Sequence, residues 1–89
     1  MTKDDILFCC GEIEVEIRRL YKGAPQRAND GRGIGHVLWM LDEMRTRPMS
    51  DRKIATWFGY VQCALIYNGF STLDAERDRS RRFSANEAA

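Results

Sequence analysis

The segment KIATWFGYVQCALIYNGF, from Lys53 to Phe70, decides the fold class, because its apolar residues recur with the spacing of an α-helix. One face of that helix carries a stripe suited to a hydrophobic core, made of Ile54, Trp57, Phe58, Val61, Ala64, Leu65 and Asn68. Ser50 stands where an N-cap is expected, and Gly69 stands where a helix stops. The segment therefore predicts an amphipathic helix from about Asp51 to Asn68.

The opposite face of the same helix is also apolar, which a helix with a single buried side does not need. A helix that is apolar around its whole circumference is central in a larger protein or is covered on its second side. A chain of 89 residues has too few elements to surround it. We therefore predict that Tyr60, Cys63 and Tyr67 contact a partner protein or a second copy of the chain. The alternative is that a short fourth helix or a long loop covers them.

A first helix is predicted from about Lys3 to Lys22, where Gly23 supplies a stop. Residues 12–17, EIEVEI, also alternate like a half-buried strand, but the helical spacing persists over four turns and favours a helix. Phe8 and Val15 lie on the back of this helix and join the predicted interface. Its predicted core residues are Ile6, Cys9, Cys10, Ile13, Ile17, Leu20 and Tyr21.

A second helix is predicted from about Gly33 to Arg47, and Pro48 ends it. Trp39 falls on the side opposite the core stripe of this helix and also joins the predicted interface. A short, mostly charged fourth helix is predicted from about Thr72 to Arg82, with Ser71 as its cap. The predicted core residues of the second helix are Ile34, Val37, Leu38, Leu41 and Met44.

Together these elements predict an all-α fold, a small antiparallel bundle of three main helices plus a short C-terminal fourth helix. Residues 1–83 are predicted to form one domain that contains a long Gly-rich loop at 23–35, and residues 84–89 a frayed tail. A chain this short buries only about 60% of its unfolded surface. We therefore expect self-association as a homo-oligomer, most simply a dimer, to add stability.

The composition excludes several classes of protein. Fourteen basic against thirteen acidic residues leave a net charge of +1, so no overall charge favours nucleic acid or an anionic membrane. Three cysteines form no disulfide framework and are interpreted as reduced thiols. No apolar run reaches the roughly 20 residues that span a bilayer, and the start, MTKDDILFCC, lacks a basic signal region. We expect a cytoplasmic protein without a membrane segment.

Candidate catalytic residues are few. His36 is the only histidine, and no carboxylate follows it three or four residues later. A nucleophilic pair would require Cys9, Cys10 or Cys63 to meet His36, with no obvious third group to orient them. The chain also lacks the CxxC, HxxxH and clustered-carboxylate patterns of metal sites. We therefore expect a protein that is not an enzyme and that holds no metal or cofactor.

Two basic stretches support an alternative function. The glycines of NDGRGIGH, residues 29–36, would let backbone N–H groups approach an anion, with Arg27 and Arg32 adding charge. A flexible connection is the alternative interpretation of this stretch. The second stretch, ERDRSRRF, contains Arg77, Arg79, Arg81 and Arg82, partly cancelled by two acidic residues. Arginine clusters contact phosphates, so the alternative to a protein-binding function is nucleic-acid or nucleotide binding.

A spaced pattern runs through the second half of the chain. Its residues are His36, Trp57, Gly59, Tyr60, Val61, Gln62, Leu73, Asp74 and Arg77. Through these residues, about 36–80 of the chain resembles a group of small phage and prophage proteins of uncharacterised function. Phe58 and Cys63 depart from the pattern, standing where an aliphatic residue and a glycine are usual. The resemblance implies a phage setting, in which small non-enzymatic proteins bind and modulate or inhibit a host or phage factor, including host defence components.

Overall fold

A computed structural model describes residues 1–20 and 33–88, with side chains described through Arg82. It contains four helices: α1 (Lys3–Leu20), α2 (Ile34–Thr46), α3 (Asp51–Tyr67) and α4 (Leu73–Ala88). The described residues include no strand, so the predicted all-α class is confirmed and residues 12–17 belong to α1. The predicted Gly-rich loop, apart from residues 33–35, lies outside the described residues, as does Tyr21.

Helix α3 begins and ends where its sequence predicts. The backbone N–H of Lys53 donates to the Ser50 hydroxyl at 3.1 Å, which confirms the N-cap. After the helix, Gly69 has a φ of +77°, a left-handed conformation that favours glycine. The N–H of Phe70 then donates to the carbonyl of Leu65 at 2.9 Å, closing the last turn. This turn reverses the chain toward α4.

Helix α4 differs from its prediction at both ends. Its cap is Thr72, whose hydroxyl accepts from the N–H of Ala75 at 3.1 Å, whereas we predicted Ser71. The Ser71 hydroxyl donates instead to Glu76 Oε2 at 2.5 Å. The helix also continues to Ala88, beyond the predicted end near Arg82. Its charged residues, which suggested a short solvated helix, therefore belong to an element of 16 residues.

The core lies where α1, α2 and α3 contact one another. Two predicted assignments are wrong. Leu20 is 63% exposed, and Met40 is buried although it was not among the predicted core residues. Ile34, Trp57 and Asn68 are only partly buried. The buried apolar residues are Ile6, Cys9, Cys10, Ile13, Ile17, Val37, Leu38, Met40, Leu41, Met44, Ile54, Phe58, Val61, Ala64 and Leu65.

Helix α4 contributes no apolar residue to this core among its described side chains, and polar contacts hold it to the other helices. Glu76 is only 3% exposed and accepts from Gln62 Nε2 of α3 at 3.3 Å. Arg79 donates to Glu76 at 3.2 Å and lies 3.5 Å and 3.4 Å from Glu12 and Glu16 of α1. Helix α4 thus bridges α1 and α3 through charged side chains. None of the described helices is long and apolar enough to cross a membrane.

Candidate partner-binding surface

The outward side of α3 exposes the side chains that the sequence left without a place in the core. We call this side, made of Thr56, Tyr60, Cys63 and Tyr67, the α3 face. Tyr60 is 40% and Tyr67 64% exposed, so these rings present apolar area to the surroundings. The positions follow from helical periodicity, because they recur at three- and four-residue spacing opposite the buried stripe. Contact with a partner remains a prediction.

A hollow lies on the α2 side of the α3 face, which we call the aromatic hollow; it is lined by His36, Met40, Thr56, Trp57 and Tyr60. The His36 ring meets the Tyr60 ring edge-on, with centroids 6.2 Å apart. Behind the hollow, Trp39 stacks at a tilt on both His36 and Trp57, at 5.4 Å and 6.0 Å. Trp39, which we predicted as an interface residue, is therefore partly buried and supports the wall of the hollow.

The imidazole of His36 carries an unsatisfied polar atom. Its Nδ1 is buried and has no hydrogen-bond partner among the described residues. A buried polar atom without a partner costs about 1–3 kcal/mol, and any group that hydrogen-bonds to it recovers part of that cost. This atom is closed to solvent, so the His36 ring lines the aromatic hollow without presenting Nδ1 to it.

A groove lies on the other side of the α3 face, between α3 and α4. Leu73 is exposed at its α4 edge, and Arg77 and Arg81 follow at intervals of one helical turn. On the α3 side, a β-carbon added to Gly59 would meet no atom within 4 Å among the described residues. We call this feature the α3–α4 groove; it is lined by Gly59, Gln62, Cys63, Leu73, Glu76, Arg77, Ser80 and Arg81.

Replacing Gly59 with alanine is expected to raise the unfolding free energy by about 0.5–1 kcal/mol, because alanine is the better helix former and its methyl group has room. Gly69→Ala is the matched contrast and should lower the unfolding free energy by about 1 kcal/mol, since its φ is positive. Urea denaturation of both variants measures the two changes. A loss of stability in Gly59→Ala would mean that packing at the groove is closer than the structure shows.

The C-terminal arginines, predicted as nucleic-acid contacts, are mostly engaged within the protein. The Arg79 side chain is only 12% exposed and faces three carboxylates, whereas Arg82 donates to Glu12 Oε1 at 2.5 Å. Arg81 lies 3.5 Å from Asp78 on an exposed part of α4, and Arg77 is exposed. Arg27 and Arg32 lie outside the described residues. This arrangement leaves Arg77 and Arg81 as the arginines of α4 that border the groove.

Acid is expected to weaken the attachment of α4. The hydrogen bond from Arg82 lowers the pKa of Glu12 below its ordinary value of 4.5, although partial burial opposes this. A lowered carboxyl pKa stabilises the folded state above the unfolded pKa, and this contribution is lost as pH falls through the folded pKa. Urea denaturation should therefore show wild type more stable than Glu12→Gln at neutral pH and the two nearly equal near pH 3. A pH-independent difference would contradict this.

The cysteines divide into two kinds. Cys9 and Cys10 are buried, and burial raises the pKa of both thiols, that of Cys10 to about 12. These thiols therefore stay protonated at neutral pH and act as small apolar side chains. Cys63 is free and exposed on the α3 face, as its predicted interface role requires. No group of acidic, cysteine or histidine side chains that could hold a metal occurs within residues 1–20 and 33–82.

The remaining predicted interface residues, Phe8 and Val15, lie on the outward side of α1. They are 58% and 69% exposed, and Gly11 lies between them. The guanidinium of Arg82 lies over the Phe8 ring, 5.9 Å from its centroid. We call this side the α1 outer face; its shallow groove is lined by Leu7, Phe8, Gly11, Glu12, Val15, Glu16 and Arg19. Because α4 bridges α1 and α3, the structure does not bring this face and the α3 face into one surface.

Comparison of the chain with family models, curated proteins and solved structures gives no match. The geometry of the surface must therefore carry the functional argument. The sequence interpretation missed the aromatic hollow, since it assigned Trp57 to the core and weighed His36 only as a candidate catalytic residue. A signal was present: His36 and Trp39 are three residues apart on one helix, and Trp57 and Tyr60 are three apart on the next.

Proposed function

We propose that this chain is a non-enzymatic binding protein that uses the α3 face to occupy a surface on a protein partner. The observation that supports this best is the exposure of Tyr60, Cys63 and Tyr67 between the aromatic hollow and the α3–α4 groove. Aromatic side chains next to concave features are typical of interface hot spots, because a partner can fill the hollows and exclude water from the rings. Protruding tyrosines and neighbouring hollows together provide shape complementarity.

The proposed partner has a surface that is apolar at its centre and acidic at one edge. The apolar centre matches the exposed rings of Tyr60 and Tyr67. The acidic edge matches Arg77 and Arg81, which border the groove and would orient the encounter electrostatically. This combination favours a folded protein surface over a small metabolite.

The biological setting is part of the proposal. Support for a phage or prophage origin comes from the resemblance of residues 36–80, which implies modulation or inhibition of a host or phage factor, including a host defence component. Free cysteines agree with a reducing compartment, so we place the action of the protein in the host cytoplasm. No cofactor or metal enters this proposal.

The proposed architecture is an antiparallel bundle. His36 meets Tyr60 while Trp39 meets Trp57, so numbering rises along α2 as it falls along α3. Arg79 and Arg82 of α4 pair with α1 in the same reversed order. The connections from α2 to α3 and from α3 to α4 are also short, which favours antiparallel neighbours. This arrangement would hold the α3 face rigidly from both sides.

Alanine substitution of Tyr60 and Tyr67 tests the proposed function. We expect each variant to keep the far-ultraviolet circular dichroism of wild type. The thermal midpoint should be unchanged in Tyr67→Ala and only slightly lower in Tyr60→Ala, whose ring also contacts His36. Each should nevertheless reduce partner capture from nuclease-treated host lysate by roughly tenfold or more, the loss expected for a hot-spot residue. Val15→Ala, on the α1 outer face, is the matched control and should capture as wild type does. Equal capture by the tyrosine variants and wild type would overturn the assignment of this surface.

Nucleic-acid binding remains the alternative, and the exposure of Arg77 and Arg81 one turn apart on α4 supports it. It has less support because Arg79 and Arg82 pair with carboxylates of α1. Duplex DNA binding by the wild type, lost steeply with added salt and reduced in Arg77→Gln/Arg81→Gln, would favour the alternative. No binding at low salt would end it.

A further inference from the structure

We propose that the α1 outer face pairs with the same face of a second copy of this chain, with the two α1 helices antiparallel about a twofold axis near Gly11. This interface is separate from the α3 face and does not rest on the proposed function. A twofold interface is self-complementary. If one residue of the first copy contacts a second residue of the other copy, symmetry repeats the same contact in the opposite direction. The α1 outer face has the apolar centre, the open backbone and the charge order that such pairing needs.

The centre of the α1 outer face is apolar and has room for a second helix. Phe8 and Val15 are both more than half exposed, and each stands about one helical turn from Gly11, on either side of it. A β-carbon added to Gly11 would meet no atom within 4 Å among the described residues, so packing inside this chain does not require a glycine there. Glycine in a helix interior costs about 1 kcal/mol relative to alanine. Close approach of another helix gives this glycine a structural role.

The charges along the α1 outer face select the antiparallel orientation and a second copy as the occupant. Asp4 lies in the first turn of α1, and Arg18 and Arg19 lie in its last turn. In an antiparallel pair centred near Gly11, Phe8 of one copy lies beside Val15 of the other, and Asp4 approaches Arg19. A parallel pair would instead place like charges together at both ends. The acidic end of this face in one copy thus matches the basic end of the same face in the other copy.

The other charged residues of this region are already engaged inside the chain. Glu12 and Glu16 face Arg79, and Glu12 also accepts from Arg82. They flank the groove without needing a partner across it. Asp4 and the arginines of the last turn stand at the two ends of the α1 outer face, where they fix the direction of the second copy.

Sedimentation equilibrium measures the proposed dimer. The wild-type chain should form a dimer, and Val15→Glu should weaken dimerisation by roughly thirtyfold or more, because it places a carboxylate in the apolar centre. Gly11→Gln should also dissociate the dimer while raising the thermal midpoint of the monomer, since glutamine is the better helix former. Tyr67→Ala is the matched control and should dimerise as wild type does. A wild-type chain that stays monomeric at its highest soluble concentration overturns the proposal.

Charge reversal tests the orientation. Asp4→Arg and Arg19→Asp should each weaken the dimer by roughly tenfold, because each turns two symmetry-related attractions into repulsions. The double variant should recover wild-type affinity, since an antiparallel pair regains opposite charges at both ends. A double variant no tighter than the single variants overturns the antiparallel arrangement. Partner capture that Val15→Glu retains and Tyr67→Ala loses would show that the two surfaces act independently, and the reverse pattern would overturn their separation.

Discussion

Replacing Glu76 with alanine is expected to lower the unfolding free energy by about 3 kcal/mol, although the described side chains of its helix contribute nothing apolar to the core. The carboxylate is 3% exposed and receives hydrogen bonds from Gln62, Ser71 and Arg79. Its removal leaves the guanidinium of Arg79, itself largely buried, without its nearest counter-charge. Breaking a buried pair on one side costs more than the pair is worth, because the remaining charge stays desolvated.

Urea denaturation followed by circular dichroism measures this loss. Asp78→Ala is the matched control on the same helix, and it should change the unfolding free energy by less than about 0.5 kcal/mol because its pair with Arg81 is exposed. The double variant Glu76→Leu/Arg79→Leu should recover most of the loss, since it removes both charges. Equal effects of Glu76→Ala and Asp78→Ala would mean that α4 does not depend on the buried pair.

Replacing Ile13 with alanine is expected to cost about 3 kcal/mol of unfolding free energy, whereas Leu20→Ala should cost less than about 0.5 kcal/mol. The sequence places both residues on one apolar stripe of α1. In the structure Ile13 is fully buried between helices, and Leu20 is exposed at the helix end. Truncating Ile13 removes apolar contacts and leaves a cavity in the core between α1, α2 and α3.

Urea denaturation of both variants tests whether the apolar stripe predicted from the sequence or the burial seen in the structure determines the loss of stability. Because both substitutions shorten a similar aliphatic chain on the same helix, helix propensity contributes little to the difference between them. A large loss of unfolding free energy in Leu20→Ala would mean that Leu20 belongs to the core, as the sequence predicts. A small loss in Ile13→Ala would mean that Ile13 does not belong to the core.

Much of the fold could be predicted because its signals are local. Apolar spacing and the Ser50 and Gly69 signals located α3 to within about a residue at each end. The two core errors on α1 and α2 have different causes. Leu20 lies on the predicted stripe but is exposed, because periodicity assigns a face and not the neighbour that covers it. Met40 stands three residues after Val37 and four before Met44, so helical spacing places it beside the core stripe, although it was not among the predicted core residues.

The candidate site could be predicted only in part. The exposure of Tyr60, Cys63 and Tyr67 follows from counting apolar residues around one helix. The aromatic hollow forms between α2 and α3, and the spacing of residues within either helix does not determine how the two helices align. The attachment of α4 was missed for a similar reason, because Arg79 pairs with a carboxylate 63 residues away. The charged residues of α4 predicted a solvated helix because their partners on α1 are far away in the sequence.

The polar attachment of α4 gives the molecule two parts that respond in opposite ways to the solvent. Added salt screens the ion pairs between α4 and α1, most strongly the exposed one between Arg82 and Glu12. A strongly excluded salt such as sulfate meanwhile tightens the apolar packing of α1, α2 and α3. The free energy of local α4 opening thus falls while the free energy of global unfolding rises, so the difference between these two free energies grows. The ionic strength of the surroundings would then help to set how often the inner sides of α1 and α3 come into contact with water.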